Sequence, residues 1–160
     1  MSTYDAGGAE NGIQFRIGNG SEAPGAQTYT TAMKLLPGGV VNAGGNYYNV
    51  LSYNLNGTPA NGIKIKTNIP YTNGSHMPLI TIEGYDYGAG STVGISLVWY
   101  VWDGNFYAYG ASSSANTAPV IKLSNEGGLV TIHLAWTPYY GRFNVRAYAQ
   151  GMSESPTWFQ

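Results

Sequence analysis

The chain has 160 residues, of which 7 are Lys or Arg and 8 are Asp or Glu, so its net charge is −1. The chain has no cluster of Lys and Arg, so it lacks the positively charged surface that is typical of a nucleic-acid-binding protein. No apolar run reaches the roughly 18 residues of a membrane span, so membrane insertion is not expected. The absence of cysteine excludes disulfides and thiol chemistry.

Glycine and tyrosine are abundant, with 23 and 14 residues, whereas charged residues make up only 9% of the chain. Helix surfaces normally carry Glu, Lys and Arg, so this composition favours an all-β protein with many tight turns. Asn-Gly pairs, the strongest short hairpin signal, recur along the chain. They begin at Asn11, Asn19, Asn56, Asn61 and Asn73, and an Asp-Gly pair begins at Asp103.

Short runs rich in β-branched and aromatic residues lie between these turns and predict strands. In chain order they cover 12–17, 29–36, 47–55, 62–67, 78–87, 93–102, 105–112, 118–123, 128–136 and 141–150. No segment shows a helical period. A strand at roughly every ten residues, with turn signals between, is typical of an antiparallel β-sandwich or barrel.

Two unequal parts are predicted, 1–60 and 61–160, with the joint in LNGTPANG at 55–62. The first part is rich in Gly, Asn and Thr, and its glycine-rich turns divide it into pieces too small to fold alone. The second part holds all four tryptophans and the longest strands. The weak first part and the near-zero net charge both favour support from neighbouring chains.

The stretch VWYVWDGNFYAY at 98–109 predicts a hairpin around a two-residue turn. That turn sets Trp102 opposite Asn105. An unbroken register away from the turn then places Val98 opposite Tyr109. Alternation gives one core face, formed by Leu97, Trp99, Val101, Phe106 and Ala108. The opposite face is large and aromatic, and consists of Val98, Tyr100, Trp102, Asn105, Tyr107 and Tyr109.

This aromatic face has more than one interpretation. A strand pair that is apolar on both faces is normally buried on both, which favours a subunit interface or a second core layer. Tyrosine and tryptophan also stack on sugar rings, so the face is a candidate platform for carbohydrate. Contact with a membrane surface or a peptide is a further alternative.

Two arginines lie on the outward face of the last strand. In RFNVRAYAQ, Phe143, Val145 and Ala147 are expected to face the core, while Arg142 and Arg146 face outward. The arginines are expected either to pair with Glu83 or Glu126 or to bind an acidic sugar.

Signals for catalysis are few. The two histidines, His76 and His133, lie in no metal or nucleophile motif. A glycosidase needs two carboxylates that flank one bond, and Glu83, Asp86, Asp103 and Glu126 would have to converge across loops to supply them. The chain is therefore expected to use no metal or cofactor and not to be an enzyme.

Several phrases of the sequence resemble a known family. NIPYTNGSHMPLITIEGYDYG, VWYVWDGNFYAYGASS and YYGRFNVRAYAQGMSES resemble the C-terminal tip domains of tail fibres and minor structural proteins of tailed bacteriophages. The resemblance covers roughly 62–158. The earlier TYTTAMKLLPGGVVN resembles shaft segments of such fibres, in which a short apolar strand precedes a Gly turn and a Val strand.

This resemblance implies a virion tail-fibre tip, extracellular during host attachment, that trimerises and binds a host polysaccharide or lipopolysaccharide. The fold expected is an all-β, jelly-roll-like antiparallel β-sandwich with a short shaft-like N-terminal segment, in an intertwined homotrimer. The alternatives are a fibre-borne polysaccharide depolymerase and a monomeric carbohydrate-binding β-sandwich. The candidate trimer interface is Val98, Tyr100 and Trp102. The candidate receptor-binding residues are Tyr85, Tyr87, Tyr107, Tyr109, Tyr139, Tyr140, Arg142 and Arg146.

Overall fold

The structure, a computed structural model, describes residues 2–3, 12–20, 25–150 and 152–159. The protein is all-β, and each predicted strand has a counterpart whose ends lie within about three residues of the prediction. The predicted turn at Asn11 lies outside the described residues. The strands are β1 (Ser2–Thr3), β2 (Ile13–Gly18), β3 (Tyr29–Leu35), β4 (Val41–Ala43), β5 (Asn46–Asn54), β6 (Ile63–Pro70), β7 (Leu79–Asp86), β8 (Ser91–Trp102), β9 (Asn105–Ser113), β10 (Val120–Glu126), β11 (Leu129–Ala135) and β12 (Gly141–Tyr148).

The strands form two antiparallel sheets. The large sheet has nine strands in the order β1-β2-β3-β4-β5-β12-β7-β8-β9, and the small sheet has three in the order β10-β11-β6. The last strand, β12, lies between β5 and β7, so it joins the two predicted parts of the chain in one sheet. The predicted joint at 55–62 is the loop between β5 and β6.

Both sheets contribute to one hydrophobic cluster. Residues of β8 alternate between buried and partly exposed, and Phe143, Val145 and Ala147 of β12 are buried as the alternation predicted. The small sheet adds Ile132 and Leu134 from β11. The division of the strands into nine and three is more unequal than in the expected jelly roll, which divides eight strands between two sheets.

The aromatic hairpin keeps its predicted register for only part of its length. Asp103 and Gly104 have φ angles of 48° and 66°, as a type I′ turn requires, and Tyr100 lies opposite Tyr107. A β-bulge then intervenes, so that Val98 pairs with Gly110 and not with Tyr109. Ala108, predicted to face the core, is exposed at this bulge with a φ of 42°. Leu97, Trp99 and Val101 are buried as predicted.

The two ends of the described chain differ in their packing. The β2–β3 hairpin is largely exposed, including the apolar side chains of Phe15 and Ile17. The C-terminal 3-10 turn, Pro156–Phe159, folds back onto the body. Its Phe159 is buried, with its ring centroid 4.7 Å from that of Tyr47. No helix in the described part of the chain is long and apolar enough to cross a membrane.

Candidate functional site

A groove lies at the end of the large sheet where the β7–β8 turn meets the β11–β12 loop. Antiparallel pairing of β7 with β12 sets Tyr85 opposite Arg142, so the residues that follow β7 and precede β12 are neighbours. The backbone N–H of Gly88 donates to the carbonyl of Tyr139 at 3.1 Å. A Cβ on Gly88 would lie 2.8 Å from the Cβ of Tyr139, so only glycine permits this approach.

Four tyrosines and one arginine line this groove, which is open to solvent and has a volume of about 360 Å³. All of them were predicted from the sequence as receptor-binding candidates. Tyr85, Tyr87 and Tyr139 are 49%, 69% and 52% exposed, which is high for residues that are intermediate in burial on average. We call this set the tyrosine groove: Tyr85, Tyr87, Tyr139, Tyr140 and Arg142.

The rings of the tyrosine groove hold one another in place. The centroids of Tyr139 and Tyr140 are 4.5 Å apart with an interplanar angle of 73°. Tyr87 meets Tyr140 edge to face at 6.2 Å. Edge-to-face pairs are a preferred aromatic geometry, so these contacts fix the rings while leaving much of their area in water.

Tyr140 adopts a backbone conformation that tyrosine rarely occupies. Its φ is 56°, in the left-handed region, which costs roughly 1–2 kcal/mol for a residue with a Cβ. Its N–H donates to the carbonyl of Gly57 at 3.0 Å, which ties the loop to 55–62. Residues in strained backbone conformations cluster at functional sites, so the strain at Tyr140 supports the choice of this groove as the candidate site.

The guanidinium of Arg142 is anchored by neutral acceptors. Its Nη1 donates to the carbonyls of Leu55 at 2.7 Å and Gly141 at 2.9 Å, and its Nη2 donates to the side-chain oxygen of Asn56. Its Cζ lies 5.8 Å from the centroid of the Tyr140 ring, within cation–π range. Arg142 therefore joins the loop at 55–56 to the tyrosine groove.

Two phenols near Arg142 have raised pKa values. A side-chain hydrogen bond with Tyr140 raises the pKa of the Tyr139 phenol, and the electrostatic interaction with Tyr140 and desolvation add to the effect. Burial raises the pKa of Tyr53, which stacks on Phe143 at 4.7 Å, while the positive charge of Arg142 partly offsets that rise. Tyr139 therefore remains a hydrogen-bond donor throughout the neutral pH range.

The other predicted receptor-binding residues lie away from the tyrosine groove. Arg146 is paired with Glu83 at 2.6 Å, one of the alternatives that the sequence left open. Tyr107 follows the turn at the opposite end of the twelve-residue β8. Tyr109 stands at the bulge and lines a separate apolar groove of about 310 Å³ with Phe106 and Leu123. The binding roles predicted for these three residues remain predictions.

The candidate interface residues lie together on the outer side of the β8–β9 hairpin. Val98 and Tyr100 are half-buried, and the Trp102 side chain is 57% exposed. Tyr100 stacks on Tyr107 with centroids 6.0 Å apart. Since β9 is the edge strand of the large sheet, this hairpin is available for contact with another chain.

The carboxylates that a glycosidase would need are distributed over different parts of the fold. Asp86 accepts the N–H of Ala89 at 3.1 Å in the β7–β8 turn, and Asp103 forms the turn after β8. Glu126 lies on the small sheet, where its hydrogen bond with Lys64 at 2.7 Å lowers the pKa of its carboxyl. Within the described ranges, no group of three or more His, Asp or Glu residues is placed to hold a metal ion.

The two histidines contact other parts of the fold and lie apart from the tyrosine groove. His133 Nε2 lies 2.9 Å from the carbonyl of Asn61. His76 is buried, with its ring 4.9 Å from that of Trp158, and its Nε2 has no hydrogen-bond partner among the described residues. Both lie outside the tyrosine groove.

Sequence reasoning missed Asn56 as a supporting residue, although its Asn-Gly turn signal marked the loop that anchors Arg142.

No protein-family model matches the chain, and no curated protein matches it. Among solved structures, it is similar to a tailspike protein from Acinetobacter baumannii bacteriophage Fri1, a capsular polysaccharide depolymerase. The identity is 17% and the TM-score 0.40, over 76% of this chain and 20% of the tailspike. The chain thus spans about a fifth of that protein's length.

This comparison corrects one prediction. The chain was expected not to be an enzyme, but the tailspike to which it is similar is one, so that assignment is withdrawn.

Proposed function

We propose that the protein is a virion tail component that binds a host surface polysaccharide through the tyrosine groove. The observation that carries the proposal is the grouping of Tyr85, Tyr87, Tyr139 and Tyr140 around one open groove. The exposed faces of such rings pack against the C–H faces of sugars, while their hydroxyls bond to sugar hydroxyls. An open groove, unlike an enclosed pocket, also admits the interior of a polymer.

The groove is organised before any ligand arrives. Tyr140 is fixed by its backbone bond to Gly57 and by the neighbouring rings, and Arg142 is fixed by Leu55 and Asn56. Binding therefore requires little additional ordering of side chains, which lowers its entropic cost. Each single sugar contact is weak, so several copies acting together are needed for firm attachment to a cell surface.

We also propose that the chain assembles as a homotrimer through the outer side of the β8–β9 hairpin. The exposed ring of Trp102, the neighbouring Val98 and Tyr100, and the free edge of β9 support this surface. The tyrosine groove lies towards the other end of β8, where Tyr85 pairs with Thr92, about 20 Å along the strand from Val98 and about 33 Å from Trp102. Assembly through the hairpin therefore leaves the groove accessible in every copy.

The test uses immobilised capsular polysaccharides and lipopolysaccharides from a panel of bacteria. A Tyr85→Ala/Tyr87→Ala variant is compared with Tyr29→Ala, which removes an exposed tyrosine on β3, outside the groove. We expect the double variant to lose the binding of the wild type and the control to retain it. Equal binding by all three proteins would contradict the proposal. Reducing ends assayed in the same incubations distinguish binding alone from binding followed by cleavage.

A further inference from the structure

We propose that the tyrosine groove selects an acidic saccharide, and that Arg142 bonds to the carboxylate of that saccharide. This inference rests on the proposed function and names the class of sugar that the groove takes. Its basis is a difference in partners: Arg142 bonds to neutral acceptors, whereas Arg146 and Lys64 each form an ion pair with a glutamate.

Among the described residues, no carboxylate forms an ion pair with Arg142. Its acceptors are two backbone carbonyls and the amide oxygen of Asn56. Arg146, four residues later on the same strand, instead forms an ion pair with Glu83 at 2.6 Å. Lys64 likewise pairs with Glu126 at 2.7 Å.

The described residues that line the remainder of the groove include no carboxylate. They are all tyrosines. The nearest acid along β7 is Asp86, whose carboxylate accepts the N–H of Ala89 within the β7–β8 turn. Alternation along β7 directs Tyr85 and Asp86 to opposite faces of the sheet. The groove therefore carries one net positive charge.

Arg142 retains the capacity to bond a ligand. A guanidinium has five N–H donors, and the hydrogen bonds to Leu55, Gly141 and Asn56 use three of them. Within the described part of the chain the remaining two have no acceptor. The neutral acceptors already hold the Arg142 side chain in place. A bound carboxylate therefore forms charge-assisted hydrogen bonds without the entropic cost of ordering the arginine.

The experiment compares methyl β-D-glucuronide with methyl β-D-glucoside, which differ only at C6: it is a carboxylate in the first and a hydroxymethyl group in the second. Binding of each is followed by NMR through the ring resonances of Tyr85, Tyr87 and Tyr139. We expect the wild-type protein to bind the glucuronide about tenfold more tightly. Added salt should weaken that preference, because the groove is open to solvent.

Three variants assign the preference to one arginine. Arg142→Gln should bind both glycosides alike, whereas Arg146→Gln should keep the preference, because it removes a cation that Glu83 already neutralises. Arg142→Lys keeps the charge but not the geometry of the donors, and we expect it to retain a reduced preference. If Arg142→Gln fails to fold, Arg142→Lys makes the assignment, because an unchanged preference in that variant would contradict the role of the guanidinium.

The outcomes separate this inference from the proposed function. Equal binding of both glycosides to the wild-type groove, with no effect of salt, would overturn the choice of an acidic sugar and leave the groove as a carbohydrate site. No change of the groove resonances with either glycoside, up to the solubility of each, would overturn both. A preference that survives in Arg142→Gln would overturn the role of Arg142.

Discussion

At the scale of single residues, Tyr140 combines backbone strain with a place in the tyrosine groove. Asn tolerates the left-handed region better than Tyr. We therefore expect Tyr140→Asn to change the free energy of unfolding by less than about 1 kcal/mol, since relief of strain offsets the lost ring contacts. Polysaccharide binding should fall. Unfolding in denaturant measures the first effect, and the immobilised polymers measure the second.

Tyr139→Asn is the matched control, because Tyr139 loses similar ring contacts and is not among the residues with positive φ. It has no strain to release, so we expect it to be less stable than Tyr140→Asn. If Tyr140→Asn proves the less stable of the two, the strain assigned to Tyr140 is contradicted.

The neighbouring phenol gives a prediction about pH. Because the hydrogen bond with Tyr140 raises the pKa of Tyr139 above the usual value of 10.0, Tyr139 keeps its proton to higher pH than a free phenol. A raised pKa in the folded state means that its contribution to stability is complete below about pH 10 and is lost as the pH rises through the folded value. Tyr140→Phe should return the pKa of Tyr139 towards 10.0.

This shift is measured by following the ring carbons of Tyr139 by NMR from neutral to alkaline pH. Tyr85→Phe serves as the control, because the pKa rise of Tyr139 is assigned to Tyr140 and not to Tyr85. An unchanged Tyr139 pKa in Tyr140→Phe would show that the hydrogen bond does not hold the proton.

At the scale of elements, the sequence predicts strands well because each one is bounded by a turn signal that acts locally. The Asp103-Gly104 turn sets the first hairpin pairs, including Tyr100 with Tyr107. The bulge beyond them was not predicted, since no glycine marks position 108 and alternation alone assumes an unbroken register. Strand content thus follows from local signals, whereas the register also depends on packing.

The bulge gives a prediction at this scale. Ala108 has a φ of 42°, a conformation that glycine adopts without the Cβ penalty. We expect Ala108→Gly to raise the free energy of unfolding by about 0.5–1 kcal/mol. Ala111→Gly, in the regular part of β9 opposite Leu97, should lower it by a similar amount. The two variants are compared by thermal unfolding. If both substitutions lower the stability, the positive φ assigned to Ala108 at the bulge is contradicted.

At the scale of the whole molecule, the candidate site could be predicted only as a set of residue types. Exposed tyrosines and outward arginines were identified from alternation and composition. The insertion of β12 between β5 and β7 brings Arg142 to Tyr85 and to Asn56, and that pairing joins segments far apart in the chain. No local signal shows which turns meet, so Tyr107 and Tyr109 could not be separated from the groove.

Assembly is the other prediction at this scale. If Trp102 lies in a trimer interface, light scattering should give a mass near three times 17.1 kDa. Trp102→Glu should lower the mass towards that of one chain, because it places a charge in an apolar contact. Tyr87→Glu, an equally prominent change in the tyrosine groove, should leave the trimer intact. A wild-type mass of one chain would contradict the interface.

The most direct test of the central claim is a crystal structure of the protein with an oligosaccharide derived from a polysaccharide that it binds. We expect sugar rings packed on Tyr85, Tyr87, Tyr139 and Tyr140, with an acidic group within hydrogen-bond distance of Arg142. Sugar bound elsewhere, such as in the apolar groove beside Tyr109, with the tyrosine groove empty, would contradict it.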